Sequence, residues 1–372
     1  MKTRTNSAVW YEKYGRWQIQ IQVDGVRKTF SSSTPGIAGK REANAKADEF
    51  LRTGMTTSCK RIDALAQEWI ETLKPTREHQ SSENYVQYES IMRTKILPAI
   101  GKKRISNLSC GDVQRIIDGM ARKGYAKKSM QNVRGCMTAF LKYCRKNRYC
   151  DMRLEDVEIP WDAHKVEKEI LQPDALRTLM TVNTRKGHGK EPREEYYINA
   201  YRFQLVTGLR PGEMLARKKS DVRDGYLYIT SAMNRLGEIT NGKNTNATRR
   251  IKLTSLALQI LKDQADTERR FGVSSTLLFP DTDGGYITEV KLYANWKAYQ
   301  EQNGIPHISL YELRHTFVSI CADNVPEVLV KKIVGHSRSM DTQGVYGHEF
   351  GDQASAAADA VESAFQSAMG TN

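Results

Sequence analysis

The sequence predicts a multidomain, mostly helical chain: a small three-stranded β-sheet plus helix at the start, an all-α middle, and a mainly α last domain with a small antiparallel sheet. Three observations predict it. Residues 16–31 alternate with period two; residues 61–149 carry only helical periodicity; and beyond a polar stretch at 151–169, helical signals resume around two short β-rich runs. At 372 residues and 42.3 kDa the chain has room for two or three domains, each able to bury its own core. The expected boundaries are 1–56, 57–155, a linker at 156–169, and 170–372.

In the first segment, Trp17, Ile19, Ile21 and Val23 share one face, and Arg16, Gln18, Gln20 and Gln22 share the other. Asp24-Gly25 closes a hairpin onto Val26-Arg27-Lys28-Thr29-Phe30, Ala8-Val9-Trp10-Tyr11 supplies a first strand, and an amphipathic helix runs from Lys40 to Leu51. A sheet face of Gln and Arg, with Arg27 beside it, can enter a major groove, where Gln pairs with adenine and Arg with guanine. The same pattern also describes an ordinary half-buried sheet whose polar side meets only water.

Four helices are expected in the middle, at 61–73, 82–97, 110–122 and 126–147, punctuated by Pro75, Pro98 and Gly124. The fourth is the most basic. Lys127, Lys128, Arg134, Lys142, Arg145, Lys146 and Arg148 accompany an apolar stripe of Met130, Val133, Met137, Phe140 and Leu141. Such a helix can rest on a core and set its other side against phosphates, although a solvated charged face is the commoner use of such runs.

The last domain opens at Gln172-Pro173-Asp174, with proline in the first helical turn. Lys186-Gly187-His188-Gly189-Lys190 lacks the Walker spacing and reads as a mobile surface loop. Gly225–Thr230 and Arg249–Leu253 look like antiparallel strands joined by a polar turn containing Asn241-Gly242-Lys243-Asn244-Thr245, which puts Lys243 on a hairpin tip. The small-residue helix at 354–365, with Val361 and Phe365 four apart, suits docking either on a neighbouring protomer or on its own domain.

The net charge is +14 and the pI about 9.4, a surplus that favours a polyanionic partner. Six cysteines (Cys59, Cys110, Cys136, Cys144, Cys150 and Cys321) form no Cys-x-x-Cys pair and have no histidines at zinc-ligand spacing, so free thiols in a reducing cytoplasm are expected. No uncharged apolar run approaches the ~20 residues of a membrane span. A soluble, intracellular protein is expected.

Chemistry is concentrated in two boxes. Thr207-Gly208-Leu209-Arg210-Pro211-Gly212-Glu213 places Arg210 in a tight junction between a helix ended by Gly208 and one opened by Pro211, with Glu213 in the new first turn. Leu313-Arg314-His315-Thr316 is followed by Val334-Gly335-His336 and Val345-Tyr346-Gly347-His348. Two guanidiniums can fork onto phosphate oxygens, a histidine can add a hydrogen bond, and a phenol can attack phosphorus. Tyr311 and Arg314, three apart on a helix entered after Ser309, share a face; His315 is expected to turn toward a neighbouring surface.

In these boxes, and over nearly its whole length, the chain resembles the tyrosine recombinases, most closely the integrases of temperate phages and conjugative transposons. The resemblance implies the tyrosine recombinase fold, with an arm-site DNA-binding domain first, a helical core-binding domain next, and a catalytic domain ending in a protomer-exchange helix. Carried over, Arg210 and Arg314 match the phosphate-binding arginines, Lys243 the hairpin general acid, His336 the later histidine and Tyr346 the nucleophile. Glu213 matches the acid that braces the first arginine, and His315 the histidine beside the second. One departure stands out: the family usually has histidine where this chain has Tyr311, and a phenol with an ordinary pKa of about 10 donates hydrogen bonds but accepts protons poorly.

The resemblance further implies strand transfer through a 3′-phosphotyrosyl link and a Holliday junction, integrating and excising a mobile element. It implies no cofactor, since the covalent link stores the bond energy and neither ATP nor a divalent metal is demanded. Implied partners are double-stranded DNA at core and arm attachment sites, a homotetramer on that DNA, an excision factor and DNA-bending accessory proteins, with no membrane. The implied place of action is the bacterial cytoplasm, at the nucleoid. A type IB topoisomerase-like relaxing enzyme would share the chemistry but not the N-terminal domain, and a non-catalytic DNA-binding regulator would be expected to have lost Arg210, Arg314 or Tyr346.

Overall fold

In a computed structural model of the chain, the alternation at 16–31 becomes an antiparallel pair, β2 (Arg16–Val23) and β3 (Val26–Ser32), with β1 (Val9–Tyr11) on the other edge of β2. The structure describes residues 4–23, 26–53, 60–75, 82–165, 167–186, 191–240, 248–322, 324–335 and 353–370. The chain divides into two compact units, residues 1–74 with 84–166, and residues 75–83 with 167–372.

Helix α1 (Gly36–Thr53) lies on the apolar face of the sheet, where Ala43, Ala47 and Phe50 bury Ala8, Ile19 and Ile21. Each large aliphatic side chain buried this way contributes roughly 1.5–3 kcal/mol. The helix begins before the expected Lys40, because its opening Gly36-Ile37-Ala38-Gly39 has no apolar period; Ile37 is exposed. The register pairs Gln18 with Ser31, Gln20 with Thr29 and Gln22 with Arg27, so these side chains share the face opposite α1.

The helical middle contains α2 (Ile62–Glu71), α3 (Glu83–Ile91), α4 (Leu97–Ile100), α5 (Cys110–Arg122) and α6 (Lys127–Lys146). Pro98 does not end a helix as expected. A π-helical stretch, Met92–Ile96, joins α3 to α4, and the Leu97 N–H reaches back to the Met92 carbonyl. The wider ladder accommodates the N–H that proline lacks. Trp69, Ile117, Met130, Val133, Met137 and Phe140 form the core, and Leu154 and Val157 join it. Val157, in the expected linker at 156–169, thus packs on the helical core, and the compact unit extends to residue 166.

The last region begins with α7 (Pro173–Thr181), followed by a hairpin of β4 (Thr184–Lys186) and β5 (Pro192–Glu194). That hairpin flanks residues 187–190, which lie outside the described residues. Helix α8 (Ile198–Thr207) is buried at all 10 positions, and two of its polar side chains donate to backbone carbonyls of neighbouring segments. The Arg202 Nε–H donates to Leu179 O at 2.8 Å, and Gln204 Nε2 to Leu310 O at 2.7 Å. Next come α9 (Pro211–Leu215) and a sheet of β6 (Val222–Arg223), β7 (Tyr226–Ile229) and β10 (Arg249–Lys252), in the order β10-β7-β6.

β7 and β10 pair antiparallel as expected, but more than a single polar turn connects them. A small hairpin of β8 (Ala232–Met233) and β9 (Ile239–Thr240) intervenes. Two-residue strands are too short to show a period. Helices α10 (Ser255–Phe271), α11 (Glu289–Asn303), α12 (Leu310–Cys321), α13 (Glu327–Val334) and α14 (Gln353–Met369) complete the domain.

Helix α14, expected on sequence to suit a neighbouring protomer or its own domain, packs here on its own domain. Val361, Ala364 and Phe365 are buried, the Phe365 ring lies 6.1 Å from Phe317, and Glu362 accepts the Ser255 N–H at 2.7 Å. Among the described residues no helix is long and apolar enough to cross a membrane.

Candidate active site

Helix α8 ends at Gly208, whose φ of 63° is left-handed, and α9 starts at Pro211, leaving Arg210 as the N-cap between them. A Cβ on Gly208 would stand 2.5 Å from Phe317 Cδ1, so only glycine fits this turn. Glu213, three residues into the junction, accepts the Arg210 backbone N–H at 3.0 Å and its Nη1–H at 2.8 Å.

The same carboxylate is held from the other side by Arg249 of β10, with Nη1 to Oε1 and Nη2 to Oε2 both at 2.9 Å. Burial raises the Glu213 pKa, but the Arg249 hydrogen bonds and charge, with Arg210, outweigh it and hold the carboxyl at about 2. Arg249 Nε–H donates to Ile333 O at 2.8 Å, and Arg210 Nη2–H to Gly335 O at 3.1 Å. Both arginines thus satisfy carbonyls at the C-terminal end of α13, where the helix dipole favours positive charge. Gly335 itself is left-handed at φ 67° and ends that helix.

Arg314, on α12, is 2% exposed. Its Nη1–H donates to Gly208 O at 2.8 Å, while its buried Nη2 has no partner among the described residues. Burial and the neighbouring Arg210 charge lower its pKa to about 10. Three arginines gathered around one carboxylate leave two positive charges uncompensated. A buried donor without an acceptor is costly; an anion with forked oxygens between Arg314 and Arg210 would remove that cost.

Glu312 fixes the start of α12, accepting the Ser309 N–H at 2.6 Å and the Glu169 N–H at 3.2 Å. Tyr311 is exposed beside Arg314. His315 does not turn away from it as expected: the two rings meet edge-on with centroids 5.2 Å apart, the i,i+4 contact of a helix. Burial, and then the Lys168 charge, lower the His315 pKa.

The structure thus brings together Arg210, Glu213, Arg314, Tyr311 and His315. Lys243, His336 and Tyr346 lie outside the described residues. Arg249 was not expected at the site. It occupies the same strand face as buried Ile251, and a lone arginine on a core-facing position requires a buried anion, which was the available signal.

Two surfaces bear the other expected contacts. On the N-terminal sheet Gln20, Gln22 and Arg27 are exposed, whereas Gln18 and Arg16 are half-buried, the Arg16 guanidinium lying 5.2 Å from the Tyr14 ring centre. On α6, Lys127, Arg134 and Lys142 line a groove with Gln131 and Thr138, and Lys128 is exposed. Arg145 is instead half-buried and donates to Met152 O at 2.7 Å, so it serves its own backbone.

Residues 169–351 match the phage integrase family, and residues 63–121 match the N-terminal SAM-like domain of phage integrases. No curated protein matches the sequence. Among solved structures the chain is similar to the Tn1549 transposon integrase in complex with transposon right end DNA, at 19% identity over 80% of this chain and 98% of that one, with a TM-score of 0.59. It is also similar to a lambda integrase dimer bound to a COC′ core site, at 13% identity over 94% and 98%, TM-score 0.59. A lambda integrase tetramer bound to a Holliday junction matches at 14% identity over 94% and 99%, TM-score 0.58. At these identities the likeness is one of fold.

Proposed function

The chain belongs to the phage integrase family of tyrosine recombinases, and on that premise we propose that it is a site-specific DNA recombinase that integrates and excises a mobile element. One observation carries the reading: the buried, unpartnered Nη2 of Arg314 beside Arg210, with both guanidiniums fixed by backbone carbonyls and Glu213. A scissile phosphate takes that position. Fixed cations that need not reorganise stabilise the extra charge of the pentacoordinate transition state.

In the proposed reaction the Tyr346 oxygen attacks phosphorus as its own proton passes to solvent, and the 5′-oxygen leaves, taking a proton from Lys243. The product is a 3′-phosphotyrosyl link and a free 5′-hydroxyl, which attacks the corresponding link on the partner duplex and releases Tyr346. His336, following the Gly335 whose carbonyl Arg210 holds, donates a further hydrogen bond to the phosphate, as does Tyr311. His315 supports Tyr311 through their ring contact. Two such exchanges pass through a Holliday junction within a homotetramer, the kind of assembly in which the lambda integrase was solved. The exposed Gln20, Gln22 and Arg27 face reads arm sites, α6 follows core-site phosphates, and α14 passes between protomers on DNA. An excision factor and DNA-bending proteins set the direction.

The test is covalent trapping on nicked suicide duplexes made from the ends of the element, with the adduct mapped by peptide mass spectrometry. The expected result is a 3′-phosphotyrosine on Tyr346, lost in Tyr346→Phe with duplex binding retained. An adduct that survives Tyr346→Phe refutes the nucleophile.

A further inference from the structure

Trp161 is 87% exposed, the most exposed large apolar side chain among the described residues. Its backbone is held firmly. Ala163 N–H donates to Pro160 O at 3.1 Å, closing a turn with Trp161 at its first central position. Lys127, at the start of α6, grips that turn twice: its N–H donates to His164 O at 2.8 Å and its Nζ to Trp161 O at 3.2 Å. Gln114 of α5 brackets Glu158 on the other side, accepting its N–H at 2.9 Å and donating to its carbonyl at 3.1 Å. An indole on a fixed turn and left in water loses the stabilisation that burial would give it.

Beside this turn runs the groove on α6 lined by Lys127, Gln131, Arg134, Thr138, Lys142 and Ile159. Three cations and no carboxylate line it, so its charge complements a polyanion. We propose that Trp161 is a DNA-contacting side chain, laying its indole against the sugar faces of a duplex seated on α6. The inference rests on the recombinase reading and extends it to a residue that the chemistry does not use. Asp162, exposed beside it, repels phosphates. The contact is therefore apolar, with the indole covering deoxyribose carbons in a groove rather than pairing with the phosphate row.

The experiment uses the full chain and a mixed-sequence duplex of about 30 base pairs at low salt, where sequence-independent binding is strong. The difference in emission between the wild type and Trp161→Phe isolates this indole from Trp10, Trp17, Trp69 and Trp296. On adding duplex, acrylamide quenching of the isolated signal falls severalfold. Trp161→Ala weakens binding about tenfold and Trp161→Phe by less, with the salt dependence of both unchanged, because no phosphate contact is lost. A wild type that binds the duplex while Trp161 stays as quenchable as before overturns the proposal. So does a Trp161 already shielded in the free protein. A wild type that does not bind the duplex overturns the recombinase reading, and this contact with it.

Discussion

Arg249 holds both carboxylate oxygens of Glu213, Nη1 on Oε1 and Nη2 on Oε2, each at 2.9 Å. This bidentate pair is nearly buried, with side-chain exposures of 9% and 5%, and it joins the edge strand β10 to the helix start that carries Arg210. Removing one partner strands a charge that water cannot reach. Glu213→Gln should therefore destabilise the fold by about 3–5 kcal/mol, read as a fall in the denaturant midpoint at constant slope. Arg249→Met should cost a similar amount, and Glu213→Leu with Arg249→Met should recover much of it. An unshifted midpoint in Glu213→Gln would mean that the pair is not a brace.

The same carboxylate predicts a pH dependence. Its folded pKa of about 2 lies below the ordinary glutamate value of about 4.3. A depressed pKa contributes stability that is complete above the unfolded value and lost as pH falls through the folded one. Unfolding free energy should thus drop between about pH 4.5 and 2 in the wild type, and this component should be missing from a pH titration of Glu213→Gln. Equal acid sensitivity in both proteins would assign the loss to other carboxylates.

Gly208→Ala should be severe for so small a change. The left-handed φ costs a non-glycine residue about 1–2 kcal/mol, and the new methyl would stand 2.5 Å from Phe317. Because the Gly208 carbonyl holds Arg314, cleavage should fall further than stability does. Comparing the melting midpoint with the cleavage rate on a suicide duplex, at a temperature where the variant remains folded, separates the two effects.

On the proposed reading, Tyr311 takes the place where the family usually has histidine. If its phenol donates to the phosphate, Tyr311→Phe should slow covalent cleavage about ten- to a hundredfold, the worth of one hydrogen bond to a charged group, without weakening duplex binding. Tyr311→His should restore the rate. A Tyr311→Phe protein with wild-type cleavage would remove the phenol from the mechanism.

On α6, Lys142 and Arg145 should separate cleanly. Lys142→Ala should weaken duplex binding and lower the salt slope by about 1, as one lost phosphate contact does. Arg145→Ala should leave that slope alone and reduce thermal stability, because its guanidinium serves the Met152 carbonyl. A salt slope that falls in both variants would return Arg145 to the DNA face.

Much of this was legible from sequence. Alternation fixed the hairpin at 16–31 because a period of two leaves one face to bury, and Gly208 with Pro211 marked the junction at Arg210 because each suits only one end of a helix. Arg249 was hidden because its partner lies 36 positions away and neither residue advertises the other. Pro98 differs for another reason: local chemistry predicts a break, but a π-helical stretch before it carries the helix on, with Met92, Ile96 and Ile100 in the core. Average polarity over 151–169 does not show that Leu154 and Val157 pack on the helical core. The spacing that pairs Tyr311 with Arg314 says nothing of His315, yet residues four apart on a helix also touch, as Tyr311 and His315 do.

The seat of α14 has a consequence beyond packing. Phe365 presses on Phe317, Phe317 lies against Gly208, and Gly208 holds the guanidinium of Arg314. Two aromatic rings thus connect the end of the chain to the residue that would grip the phosphate. On the proposed recombinase reading, an empty berth would deprive Arg314 of this backing, and a helix seated there, from this chain or from another, would restore it. Strand cutting would then depend on a berth some distance from the cut, and an incompletely assembled complex would be poor at breaking DNA without any group at the reaction centre having to be blocked.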